Sequence, residues 1–246
     1  MKHAIGISGA LVGLAASFAA QAQTALDIHG RLGASGGLYS NEFTVSGVDQ
    51  NGAPVDASAE RDELVYGLLG GIIAVIDGYY ANTELEVQQI DDDEGADFKS
   101  TDITLTFGKQ FANGWGPFLG YRHVRQGDGV FDDDVQRENG YFAGLNYSGL
   151  PIGQSIIASF GAAYVISNVD VDGLKFDDAD GVSLRATANI ADTPHSFSLR
   201  YRQFSGDVGI NDPSVGSLDV EIEESYFTLS YQYTLPITSL PISSGF

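Results

Sequence analysis

The run N-V-D-V-D-G at residues 168–173 has the spacing from which calcium loops are built. Oxygen donors at alternate positions, with glycine at the sixth, let a chain wrap a hard cation. Asn168, Asp170 and Asp172 would be the first donors, and Asp177, Asp178 and Asp180 follow closely enough to add more. The twelfth position, where a bidentate glutamate belongs, is Ala179. The competing reading is a solvated acidic loop with diffuse calcium or magnesium counterions. Other chemistry is scarce. The absence of cysteine removes thiolate nucleophiles and thiolate metal sites. Among the histidines, His123 has Asp128, Asp132, Asp133 and Asp134 near it in sequence, whereas His29 and His195 fall toward the opposite end of the expected topology. A hydrolase using His123 as general acid or base would need those groups within hydrogen-bonding reach.

A larger set is made of charges inside otherwise regular segments: Arg31, Arg122, Arg185, Arg200 and Arg202, with Glu84, Glu86 and Asp102. Charges of both signs can be buried together only as hydrogen-bonded pairs. Their surroundings show how that could happen. Val182, Leu184, Ala186, Ala188 and Ile190 alternate with Ser183, Arg185, Thr187 and Asn189. Phe197, Leu199 and Tyr201 alternate with Ser198, Arg200 and Arg202, and Leu26, Ile28 and Leu32 with Asp27, His29 and Arg31. A period of two puts one set on each face of a β-strand. Ten such strands are expected, near 25–39, 63–77, 79–90, 101–111, 115–126, 139–148, 154–167, 182–191, 195–205 and 224–235.

The connections alternate in length. Long links are expected at 40–62, 91–100, 127–138, 168–181 and 206–223, and short ones at Asp77-Gly78, at 112–114, at 148–153 and at 192–194. Asp-Gly and Asn-Gly suit tight hairpins because they tolerate positive φ. Most of the 33 acidic residues fall in the long links, so one end of the molecule carries the negative charge. A soluble sandwich has no reason to sort its charge in this way. With only 12 Lys and Arg, the chain offers no basic footprint for nucleic acid. Its 31 Gly, 12 Tyr and 14 Phe suit strands and turns better than helices or disorder.

Residues 1–22 read as a secretory signal peptide: Lys2 and His3, then an apolar stretch, then Ala20-Gln21-Ala22 as an A-x-A cleavage site. Residues 23–235 are then the barrel and 236–246, P-I-T-S-L-P-I-S-S-G-F, a tail or closing segment. Aromatics near strand ends suit two interfacial girdles: Tyr79, Phe111, Trp115, Tyr147, Phe197 and Tyr233 below, Tyr39, Tyr121, Tyr141, Tyr164 and Tyr226 above.

In this pattern the chain resembles the small outer-membrane β-barrel proteins of Gram-negative bacteria. The resemblance covers the signal peptide, the ten amphipathic strands, the outer loops and the terminal Phe246, without a motif that fixes a subfamily. It implies an all-β, up-and-down antiparallel transmembrane barrel in the cell outer membrane, with long acidic extracellular loops and short periplasmic turns. It also implies outer-membrane lipid and lipopolysaccharide as surroundings, and assembly by the barrel-assembly machinery. The expected role is non-catalytic: structural, surface-interacting, or a narrow porin-like passage whose lumen holds the charge network. A rim protease or lipid-modifying enzyme using His123, and a soluble secreted β-protein, are the alternatives.

Overall fold

A computed structural model describes residues 25–91, 98–127, 134–171 and 173–241. The expected signal peptide lies outside the described residues. Ten strands follow in chain order: β1 Ala25–Asp49, β2 Pro54–Ile76, β3 Tyr79–Asp91, β4 Phe98–Lys109, β5 Trp115–Gly127, β6 Asp134–Ile152, β7 Ile156–Val171, β8 Leu174–Ile190, β9 His195–Asp212 and β10 Gly216–Pro241. Every strand pairs antiparallel with its neighbour in sequence, and β1 pairs with β10, so the sheet closes into a barrel. No described strand edge is left open to another chain.

Local chemistry sets the lower turns. Between β2 and β3, Asp77 and Gly78 take φ of 47° and 79°, the paired positive values of a two-residue hairpin. Gly114 between β4 and β5 and Asp192 between β8 and β9 also adopt positive φ. The fourth lower turn is displaced. Pro151 and Ile152 pair with Ile157 and Ile156, so the chain reverses at 153–155 rather than across 148–153; a bulge near Gly149 absorbs the extra residue.

The upper connections differ from the expected long loops. Residues 40–48 pair with 54–62 as a continuous ladder with its tip at 49–53. Likewise β9 continues to Asp212 and β10 begins at Gly216. What alternation suggested were loops are hairpins that run well past the apolar belt. Their outer faces carry Ser40, Glu42 and Asp56 in place of the leucines lower down, which is why the apolar period fades although the pairing does not. At the tips, Asp49 accepts from the amides of Asn51 and Ala53 at 2.8 Å each, and Asp212 from the amide of Ser214 at 2.7 Å. These bonds, and at Asp212 first of all the one from the Ser214 hydroxyl at 2.5 Å, lower both carboxyl pKa values. Residues 92–97 and 128–133, in two more of the expected acidic loops, lie outside the described residues.

The closing strand runs further than expected. Pro236 does not end β10: Leu235 pairs with Gly30 and Pro236 with His29, a one-residue shift follows, and Thr238 to Pro241 pair with Ile28 to Ala25. The barrel boundary therefore moves from 235 to 241, and 236–241 is closing strand rather than tail. The shift sits where proline removes an amide donor, which a bulge tolerates.

Two faces result. Outward side chains include Leu32, Leu38, Leu64, Leu68, Ile72, Phe107, Leu119, Leu145, Leu184 and Leu229, all exposed. The inward face holds Asp27, His29, Arg31, Ser35, Glu84, Glu86, Asp102, Arg122, Thr228 and Gln232, all buried. A water-soluble sheet does the reverse. On β1 the apolar outward positions are 26–38, on β2 64–76 and on β10 227–240.

Candidate functional site: the charged lumen

The eight charges singled out in the sequence all project into the barrel and meet there. Arg200 donates to Glu84 at 2.5 Å and to Glu86 at 3.0 Å. Arg122 bonds Asp102 through Nε at 3.0 Å, and Arg202 reaches the same Oδ2 at 3.3 Å. Arg31 and Arg185 approach Glu84 Oε2 at 3.6 and 3.5 Å. Even strand positions on β3 and β4 and odd ones on β1 and β8 face inward, and ring closure brings β8 and β9 across the lumen from β3 and β4.

Four members of this layer were assigned to other places by sequence reasoning. Glu138, expected in the acidic loop 127–138, is on β6, buried, and receives Arg122 Nη1 at 2.7 Å and Ser167 Oγ at 2.8 Å. Glu224, expected at a loop edge, is buried and accepts from Gln136 Nε2 at 2.5 Å. Tyr39 and Tyr226, expected in the upper girdle, lie inside the barrel with ring centroids 4.6 Å apart. The signal was present: Tyr39 shares the parity of Arg31 and Ser35, and Tyr226 that of Glu224 and Thr228. Glu224 lies above the apolar belt, and burial pushes its carboxyl pKa up to about 8, against the hydrogen bond from Gln136.

Above the charges the lumen is apolar, which the sequence did not reveal. Val65, Ile90, Val169, Phe176, Phe204 and Ile222 are buried together with the two tyrosines, and Phe43, Val208 and Ile210 pack against them. The upper hairpins thus enclose an apolar plug of their own. A cavity of about 170 Å³ adjoins the charges and reaches below them, lined by Arg31, Glu84, Arg122, Arg185, Arg200 and Arg202 and by Tyr80, Asn82, Phe118 and Phe142. Small residues make its walls possible. A Cβ on Gly144 would stand 2.7 Å from Phe118 Cζ, and one on Gly120 would collide with the Phe142 ring.

The other candidates take simpler positions. His123 is on β5 with Nδ1 2.8 Å from Asn139 Oδ1, which also accepts from Tyr121 OH at 2.8 Å. Asp128, Asp132 and Asp133 lie outside the described residues. His195 stacks on Tyr231, with its Nδ1 2.6 Å from the phenol oxygen, in a lower aromatic cluster with Tyr233 and Phe197. Trp115 packs edge-on against Tyr147, and Lys109 donates to Tyr79 OH at 2.9 Å. His29 is buried at the lower end of the lumen.

The calcium pattern falls on a ladder. Asp170 pairs with Lys175 and Val171 with Leu174, so most of the segment that either reading placed in a loop is paired strand. Asp170 Oδ1 is used by the amide of Gly173 at 3.0 Å. Asn168, Asp177 and Asp180 are exposed on the strands, while Asp172 and the side chain of Asp178 are outside the described residues. Among the described residues no three histidine or carboxylate side chains converge on a metal position.

No family model matches the chain, and no curated protein matches it. Among solved structures, it is similar to the outer membrane protease OmpT from Escherichia coli, at 12% identity and a TM-score of 0.47, covering 85% of this chain and 97% of that one. The β domain of the Bordetella autotransporter BrkA is 17% identical, with a TM-score of 0.36 over 80% of this chain and 98% of the other. A Pseudomonas aeruginosa FadL homologue is 8% identical, with a TM-score of 0.32 over 92% and 96%. Similarity at these values carries no weight for function.

Proposed function

We propose that the chain is an integral protein of the bacterial outer membrane, without a catalytic role, whose barrel is closed to free solute flow by its own side chains. One observation carries the reading: outward positions are apolar in a continuous belt, while charged and amide side chains are buried on the inward face. Only hydrocarbon around the barrel makes that arrangement favourable, because the ladder satisfies its backbone polar groups internally. A span needs about 9–11 residues per strand. β1, at 25 residues, and β10, at 26, therefore cross and continue beyond the bilayer. The acidic hairpins would face the exterior, with divalent cations bridging their carboxylates to lipopolysaccharide phosphates. Export through residues 1–22 and insertion by the barrel-assembly machinery complete this proposal.

Closure follows from two layers, the ion-paired network and the apolar plug above it. Ten strands lie nearer the eight-stranded barrels that side chains fill than the 16–18-stranded porins. The deciding measurement is conductance of refolded protein across a planar bilayer. A silent membrane is expected, and steady single-channel steps would overturn closure. Release of the native protein by a carbonate wash would overturn the membrane location.

A further inference from the structure

The lower lumen contains donors with nothing to donate to. Arg31 is 3% exposed, yet its Nε and Nη1 have no hydrogen-bond partner, and the Nε and Nη2 of Arg185 have none either. Both guanidiniums border the same cavity. Glu84 does not satisfy them. Its Oε1 is taken by Arg200, and its Oε2 stands 3.5–3.6 Å from the two arginines without a bond forming. Buried charged donors left without acceptors are costly, so they mark a place where an acceptor belongs.

Charge points the same way. The layer sets five arginines against Glu84, Glu86, Asp102 and Glu138, while Glu224 above it keeps its proton to about pH 8. The other buried acids, Asp27 and Glu63, lie toward the two ends of the barrel. Within this layer arginines outnumber carboxylates by one, and all five arginines line the cavity together with Glu84. Apolar side chains of Ile73, Phe118, Phe142 and Val165 line other parts of the cavity. Its volume of about 170 Å³ is close to the ~150 Å³ of an engineered apolar cavity that accepts benzene.

We infer that this cavity is a binding site for a small organic carboxylate with a compact apolar body, its carboxylate held by Arg31 and Arg185 and its body against Phe118 and Phe142. A guanidinium fork matches a carboxylate in geometry as well as in charge. Ser148 and Ser159, beside the lower turn at 153–155, also line the cavity, so the occupant enters from the periplasmic side. Gly161 borders the site with unusual room: a Cβ there would meet nothing closer than Asn146 Cβ at 3.9 Å.

The site is tested by calorimetric titration of the refolded barrel in detergent with benzoate, against benzamide as the uncharged isostere at matched ionic strength. Benzoate is expected to bind with a Kd of about 1 mM or tighter, and benzamide at least tenfold more weakly. Arg185→Gln should weaken benzoate by about tenfold or more through loss of a charge-assisted pair. Gly161→Leu should abolish binding by filling the cavity while leaving every arginine in place. Lys175→Gln, on an exposed upper strand, should change nothing. Heat-modifiable migration on a gel verifies that each variant is folded. Equal affinity for benzamide, full affinity in folded Arg185→Gln or Gly161→Leu, or no uptake of benzoate would each overturn the inference. Because titration in detergent requires neither a bilayer nor a current, its failure is separable from that of the closed-barrel reading.

Discussion

Glu224 shows how a single buried carboxyl can tune the whole barrel. It sits under the apolar plug with Gln136 donating to one oxygen, and Glu138, Arg122, Tyr39 and Tyr226 around it. In the unfolded chain it ionises near the ordinary 4.5, and in the folded barrel it holds its proton to about 8. The folded state therefore binds the extra proton across that window. Stability contributed by the neutral form is complete at low pH, falls as pH rises through the window, and is gone above the upper value. Glu224→Gln keeps an acceptor for Gln136 and removes the ionisation. In urea titrations it should match the parent near about pH 4 and exceed it by a few kcal/mol near about pH 9. The opposite trend would mean that the carboxyl is ionised where it lies. Arg122 is different in kind. It serves Asp102 and Glu138 together, and removing one partner of a buried pair leaves a charge stranded at a cost of about 3–5 kcal/mol.

At the scale of elements, the upper hairpins are the unexpected feature. Strands that had only to cross a bilayer would stop near Leu38, Leu64 and Phe227, yet β1, β2 and β10 continue for ten residues or so with polar outer faces. The extension is stable because its inner face supplies a core in place of lipid. Phe176 and Ile222 are fully buried, with Val45, Val171 and Leu174 packed around the cluster. Phe176→Ala should cost roughly 3–5 kcal/mol in equilibrium unfolding. Protease accessibility of the upper hairpins, measured on the inserted protein, should rise in parallel. A loss near zero would show that the hairpins hold together by their ladders alone.

For the whole molecule, the decisive property is which solvent meets which face. Leu32 is outward and exposed, midway along the apolar positions of β1, and Glu42 is outward on the same strand above them. Leu32→Arg should destabilise the lipid-inserted barrel by about 2–4 kcal/mol, while Glu42→Arg, beyond the hydrocarbon, should be close to neutral. Folding into vesicles of defined thickness, followed by denaturant titration, measures both. Equal effects at the two positions would remove the bilayer from the account. The same argument explains the lower aromatics. Trp115, Tyr79 and Tyr231 are exposed beside the short turns, with Tyr147 and His195 half-buried against them, where a ring with one polar end meets headgroups.

Period-two alternation around Arg185 and Arg200 was enough, without coordinates, to place strands there and to set their charges on the face opposite the apolar one, because strand facing is a local property of the backbone. Asp-Gly at 77–78 determined its turn for the same reason. The expectation of a closed barrel came from the alternating lengths of the connections and the gathering of acidic residues at one end. The tertiary structure decided the rest. Residues 40–49 and 206–212 look like loops because the outer face turns polar and the apolar residues move to the inner one, and only pairing across the ladder shows them to be strands. Glu138 and Glu224 could not be told from loop acids until register placed them on the inner face. The plug above the charges and the cavity adjoining them arise from side chains contributed by strands on opposite sides of the ring. Their meeting is fixed by closure of β1 on β10, a contact more than two hundred residues apart in sequence that no local pattern encodes.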